Sequence, residues 1–340
     1  MTKSKRNNIL KNIAFLAFGA LLLWWSFREM EISTLLKTLR EANYFWVILA
    51  MLMGVLSHVS RAMRWKQLIN GAGEETTFRS TFLGVMSGYL MNFIVPRMGE
   101  VSRCAVVNQR EDIPIDKLIG TVITERLFDL ITLGLISLGI YLYQFQLIND
   151  FLQNVLPNDP CNLTAGAADN NGNVGKIISF GVLGLIVVFI AYKLLQKPAE
   201  IKEKIVGFVK NSWAGVMSIT KLKRPLIFIL HTIFIWTMYF ITAYFIFFAL
   251  DATTHLGVFA GLFVLLVGTL AIVIPVPGGL GTYHTMVMIG LTMFGLDCKD
   301  GLQFATVSHG AQMVMIFVVG GLSLLAISID RKKKNKQDEV

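Results

Sequence analysis

The chain has 340 residues, with 31 Lys and Arg against 22 Asp and Glu for a net charge of +9, yet 54% of it is hydrophobic and only 16% charged. With a mean hydropathy of +0.60, that balance excludes an ordinary soluble domain. It also argues against a nucleic-acid binder: the basic residues fall between apolar runs, where membrane orientation and anionic headgroups account for them.

The first apolar run, 9–27, follows the basic stretch Thr2 to Arg6. It lacks a small-residue cleavage site after Phe27, so it reads as an uncleaved membrane helix. The second run, 44–60, leads into Ser57, His58, Arg61 and Arg64 at helical spacing, then Trp65. These side chains form either an inner vestibule for a headgroup or an interfacial belt.

The third run, 78–96, contains Gly84 and Gly88, a spacing that lets helices approach closely. It ends in NFIVPRMGEVSR, Asn92 to Arg103. Pro96 has no amide donor and Gly99 tolerates unusual dihedrals, so a helix breaks there. The break frees backbone groups near Asn92, and helix N-termini attract anions. Arg97 and Arg103 either hold a phosphate by paired hydrogen bonds or snorkel to the surface. Glu100 pairs with one of them or gates it.

The fourth run, 118–146, carries Glu125, Arg126 and Asp129 at least one helical turn inside. Spacings of three and four put them on neighbouring faces. They are either substrate contacts, an ion network bracing the preceding break, or proton sites. The loop 147–175 is rich in Asn, Gly and Asp and carries Cys161 and the sequon Asn162-Leu163-Thr164.

The runs 176–195, 225–250, 258–276 and 304–328 follow. The third of these ends in a second break, IPVPGGLGTYH, about half a chain after the first. Pro277, Gly278, Gly279 and Gly281 offer backbone amides and close packing. His284 and the later His309 titrate near neutrality or pack as neutral rings. Three cysteines at non-metal spacings predict no disulfide framework, although Cys161 and Cys298 fall on one side and are able to pair. Motifs for metalloproteases, serine hydrolases, phosphate-binding loops and dinucleotide folds are missing, so no cofactor, metal or catalytic residue is expected.

Loop charge sets the topology. If all eight runs crossed the membrane, the Lys-rich 196–224 loop would lie outside and the Asp-bearing 147–175 loop inside, against the positive-inside rule. Making about 80–110 and about 258–296 re-entrant hairpins repairs both loops. The chain then reads as an all-α polytopic membrane protein, one domain of two inverted halves (9–146 and 176–328). It has about six full spans plus two hairpins, an arrangement found in transporters. Loop 147–175 is external, 196–224 is cytoplasmic, and both termini lie in the cytoplasm at an inner membrane.

The ordered motifs SRAMRWKQLI (60–69), NFIVPRMGEVSR (92–103), ERLFDL (125–130) and PVPGGLGTYH (275–284) resemble the lysylphosphatidylglycerol synthase transmembrane-region family, over about residues 10–328. The resemblance implies a lipid translocase. In multiple-peptide-resistance-factor proteins a similar membrane domain flips aminoacylated phosphatidylglycerol, and an archaeal branch is linked to dolichol-phosphate sugar lipids. It further implies that Arg61, Arg97, Glu100, Arg103, Glu125, Arg126 and Gly278 to Gly281 line a central site. The chain ends at Val340 without the aminoacyl-transferase domain, so synthase activity is not expected. The expected function is lipid flipping, with a proton-coupled transporter of a small anion as the alternative. Expected partners are membrane lipids, with a second copy or a separate lipid-synthesising enzyme compatible, and no nucleic acid.

Overall fold

The computed structural model describes residues 32–146, 222–274 and 276–338. The expected spans 9–27 and 176–195, loop 147–175 with its sequon and Cys161, most of loop 196–224, and Pro275 lie outside them. The described residues form helices α1 (Ile32–Glu41), α2 (Tyr44–Gly71), α3 (Phe78–Ile94), α4 (Gly99–Glu111), α5 (Ile115–Tyr143), α6 (Pro225–Phe247), α7 (Val258–Val273), α8 (Thr282–Thr292) and α9 (Cys298–Asp338). Among them there is no strand. α2, α5, α6 and α9 are long and apolar enough to cross a membrane, making this an all-α membrane protein.

α3 and α4 have 17 and 13 residues, and α7 and α8 have 16 and 11. Each is shorter than the roughly 20 residues that a span requires. They pack as two antiparallel pairs. Along the first pair, Ser80 accepts from Arg110 Nε at 3.0 Å and Thr77 donates to Glu111 at 2.6 Å. Nearer its turn, a Cβ on Gly84 would sit 3.0 Å from the Arg103 carbonyl, and one on Gly88 2.7 Å from that of Gly99. The two glycines therefore let the backbones touch. Along the second pair, Phe263 meets Phe294 at 5.7 Å, and a Cβ on Gly268 would lie 2.9 Å from the Tyr283 ring.

The turns follow from local chemistry. Val95, before Pro96, is extended (φ −135°, ψ 117°), as steric conflict with the proline ring requires. Arg97 then takes φ 63°, and Asn92 Oδ1 accepts from Gly99 N at 2.7 Å to close the turn. In the second turn Gly278, Gly279 and Gly281 all have positive φ, which glycine adopts without cost.

Contacts between elements fix which ends coincide. Asp330, in the last third of α9, receives Arg79 at 2.9 Å and Arg110 at 2.6 Å, while Lys117 pairs with Glu74. The open end of the α3–α4 pair therefore shares one end of the bundle with the end of α2 and the start of α5. At the other end, Trp46 packs on Phe245 and Phe248, and Tyr143 on Phe259. Here the α7–α8 pair opens. The two pairs enter from opposite ends, and their turns meet in the middle: Arg97 Nη2 donates to the Val273 carbonyl at 3.2 Å, and Phe93 lies against Gly278.

Apolar packing divides the same way. Trp65, Ile69, Val85, Cys104, Val107 and Leu118 form a core around the first pair. A larger one around the second includes Phe247, Phe263, Val267, Tyr283, Val287 and Phe304. Leu130, Leu135 and Leu142 on α5 and Leu322 and Leu325 on α9 point outward, as lipid-facing surfaces do. Cys104 is buried and free, and Cys298 is disulfide-bonded.

Candidate functional site

Where the two turns meet, a cavity of about 540 Å³ lies between α2, α3, α6, α7 and α9. Of the residues singled out in the sequence, Arg61, Asn92, Pro96, Arg97, Glu100, Arg126, Gly278 and Gly279 line it. Arg97, Arg126, Ile272 and Val273 are exposed lining residues, so the mouth opens sideways between α5 and the end of α7.

The depth of this arrangement follows from helix geometry. Arg61 lies ten residues before Gly71 and Glu125 ten after Ile115. At 1.5 Å per residue both sit about 15 Å in from the same end, half the thickness of a hydrocarbon core. Charges at that depth must be paired.

Glu125 has no exposed side-chain surface and meets three guanidiniums: Arg61 Nε at 2.6 Å, Arg64 Nη2 at 3.3 Å and Arg103 Nη2 at 2.7 Å. Asp129, one turn on, takes Arg61 and Arg64 at 2.6 Å each. Arg61 also donates to the hydroxyls of Tyr89 and Tyr239 at 3.0 and 2.8 Å. Arg103 stacks 4.5 Å from the Trp65 ring, whose indole nitrogen donates to Thr121. The network thus ties α2, α4 and α5 together behind the cavity wall. Arg103, Glu125 and Asp129 brace that wall and do not line the cavity.

Arg126 stands at the mouth. It donates to Glu100 at 2.8 Å and lies 3.8 Å from Asp129. Pro277 and Gly281 shape the second turn, and His284 is buried beside His309 with ring centroids 5.0 Å apart. His309 itself lines the cavity, with Nε2 2.9 Å from the Gly278 carbonyl. α4 and α8 both begin at the turns; neither N-cap residue caps with its own side chain, and Asn92 Oδ1 takes the Gly99 N–H of α4 alone. Their positive ends therefore face the centre.

Arg64, read as part of a vestibule or a belt, is fully buried, as is Trp65, so neither belongs to a surface belt. Sequence reasoning left Arg64 out of the site; the signal was its spacing of three from Arg61, which keeps both on one helix face. Tyr89 and Tyr239 were also missed. Their hydroxyls matter only because α2, α3 and α6 converge, and no local pattern announces that.

Residues 12–320 match the family described as Lysylphosphatidylglycerol synthase TM region. A UPF0104 membrane protein of Methanocaldococcus jannaschii is 24% identical over 346 residues, covering 97% of this chain and 98% of its own. Another, from Pyrococcus horikoshii, is 26% identical over 275 residues, 77% of this chain and 79% of its own. The glycosyltransferase AglD of Haloferax volcanii is 22% identical over 323 residues, 87% of this chain but 51% of its own length.

Proposed function

Since the chain belongs to the lysylphosphatidylglycerol synthase transmembrane-region family, we propose that it is a lipid translocase and not an enzyme. It moves a phospholipid or a polyisoprenyl-phosphate-type lipid across the cytoplasmic membrane. The headgroup sits at Arg97 and the broken helix ends, while the acyl chains stay in the bilayer. The α3–α4 and α7–α8 pairs act as re-entrant hairpins from opposite faces, and alternating opening beside their turns carries the headgroup past the midplane. Both termini are cytoplasmic, consistent with Arg79, Arg110 and Lys117 gathered at one end.

The observation that carries this reading is the central cavity whose mouth opens sideways past Arg97, Arg126, Ile272 and Val273. A headgroup enters through such a mouth without its chains leaving the lipid. The relatives are named as membrane proteins, and one carries a glycosyltransferase name, which agrees with a lipid-linked role.

The proton-coupled alternative draws less support. It relied on Glu125 or Asp129, and both are held by arginines at 2.6 to 3.3 Å. The test is lipid translocation by the purified protein in liposomes. Arg97→Ala should abolish it, and full activity in that variant would refute the assigned role.

A further inference from the structure

We propose that the cavity binds a phosphate monoester in its doubly charged form, in the place Glu100 now holds. The proposal rests on the transport reading only for the source of that phosphate, a lipid headgroup; the anion site stands on charge and geometry.

Three guanidiniums, Arg61, Arg97 and Arg126, and one carboxylate, Glu100, face the cavity. With His58 and His309, which also line it, counted as uncharged, that leaves an excess of two positive charges among the described residues. Counting the wall behind leaves the excess at two: Arg61, Arg64 and Arg103 share Glu125 and Asp129 and keep one charge, while Arg97 and Arg126 against Glu100 keep the other. The start of α8, which has no side-chain cap, and that of α4, where Asn92 takes only the Gly99 N–H, add positive potential at the same centre. A dianion brings this cavity to neutrality. A phosphodiester leaves one charge unbalanced and a zwitterionic headgroup two, and unbalanced charge within the protein is costly.

Arg61 is committed to four partners, so the groups open to exchange are Arg97 and Arg126. Arg97 donates to a neutral carbonyl, that of Val273, which a phosphate oxygen outcompetes. Arg126 is held by Glu100, a carboxylate in the first turn of α4. Glu100 thus links a guanidinium to a helix N-terminus, as a phosphate would. It is a resident stand-in that the substrate displaces.

The experiment measures equilibrium binding of octyl phosphate and its methyl diester to the purified full-length protein in detergent, at pH 8 and pH 5. The monoester's second proton has a pKa near 6. The monoester should bind about tenfold tighter than the diester at pH 8, and the preference should vanish at pH 5. Glu100→Gln should tighten monoester binding severalfold by removing the competitor. Arg97→Gly, whose backbone suits a φ of 63°, should weaken it while leaving the melting temperature unreduced. Equal binding of the two esters at pH 8, or no tightening in Glu100→Gln, would overturn the proposal. Glycerol phosphate competing as well as octyl phosphate would keep the dianion site but make its ligand a soluble phosphomonoester. Selective monoester binding without lipid translocation would refute the transport reading alone.

Discussion

Arg97 and Gly278 occupy matching places in two Val-Pro turns and take the same left-handed backbone, φ 63° and 59°. One turn bears an arginine where the other bears a glycine. A non-glycine residue with positive φ carries strain of about 1 kcal/mol or more and persists where its side chain has a task. Arg97→Gly should therefore leave thermal stability equal or slightly raised, while Arg97→Ala gains nothing from the backbone. Both should lose translocation. Differential scanning fluorimetry in detergent, paired with a liposome assay, separates the two effects.

Gly278 fails in the opposite direction. A Cβ there would run into the Phe93 ring of the opposing turn, so Gly278→Ala meets both a clash and backbone strain. A loss of about 2 to 4 kcal/mol is expected. Phe93→Ala in the same chain should recover the steric share and leave the strain. If the double variant is no more stable than Gly278→Ala, the turns do not pack as described.

Between α3 and α4 the close contact is backbone against backbone. Gly88→Ala places a Cβ 2.7 Å from the Gly99 carbonyl, and backbone cannot yield as a side chain can; a cost of about 1 to 3 kcal/mol follows. On α5, Gly134 and Gly139 have nothing within 4 Å of an added Cβ. Alanine there should leave the melting temperature unchanged or raise it, since glycine inside a helix is unfavourable by about 0.5 to 1 kcal/mol.

The ion network has a predictable weak point. Glu125→Gln removes the one carboxylate shared by Arg61, Arg64 and Arg103, leaving buried guanidiniums short of countercharge. Breaking such a pair costs about 3 to 5 kcal/mol. Asp129→Asn should cost less, because Asp129 retains 15% side-chain exposure and Glu125 still holds both of its arginines. Equal losses in the two variants would mean that Glu125 is not the hub.

What could be read in advance follows from how local each cause is. Pro96 and Pro277 end helices through their own rings and the residues before them, so both breaks were legible at Ile94 and Val273 to within a few residues. Gly84 and Gly88 announced a close approach without naming α4 as the partner. Arg103 left two readings open because snorkelling and burial use the same side chain; α5 decides, by presenting Glu125. Tyr89 and Tyr239 reach Arg61 across 28 and 178 residues of chain, a convergence set by packing. The amphipathic α1, Ile32–Glu41, falls between the expected runs because it is too short and too polar to register as a span.

The orientation of the two helix pairs admits a direct check. Arg79 begins α3 and pairs with Asp330, whereas Thr254 lies in the exposed connection between α6 and α7, at the opposite end of the bundle. Basic residues collect at the Arg79 end, so the positive-inside rule predicts that this end is cytoplasmic. Single cysteines introduced at these positions, in a chain whose native thiols are blocked, should react differently with a membrane-impermeant maleimide. Thr254→Cys should label in intact cells and Arg79→Cys only after permeabilisation. Each helix pair is too short to cross alone, so labelling of both positions from one face would leave no way for the pairs to enter from opposite sides. The alternating-access scheme would then fall with it. Reversed labelling, with Arg79→Cys outside, would keep the opposed pairs but invert the protein in its membrane.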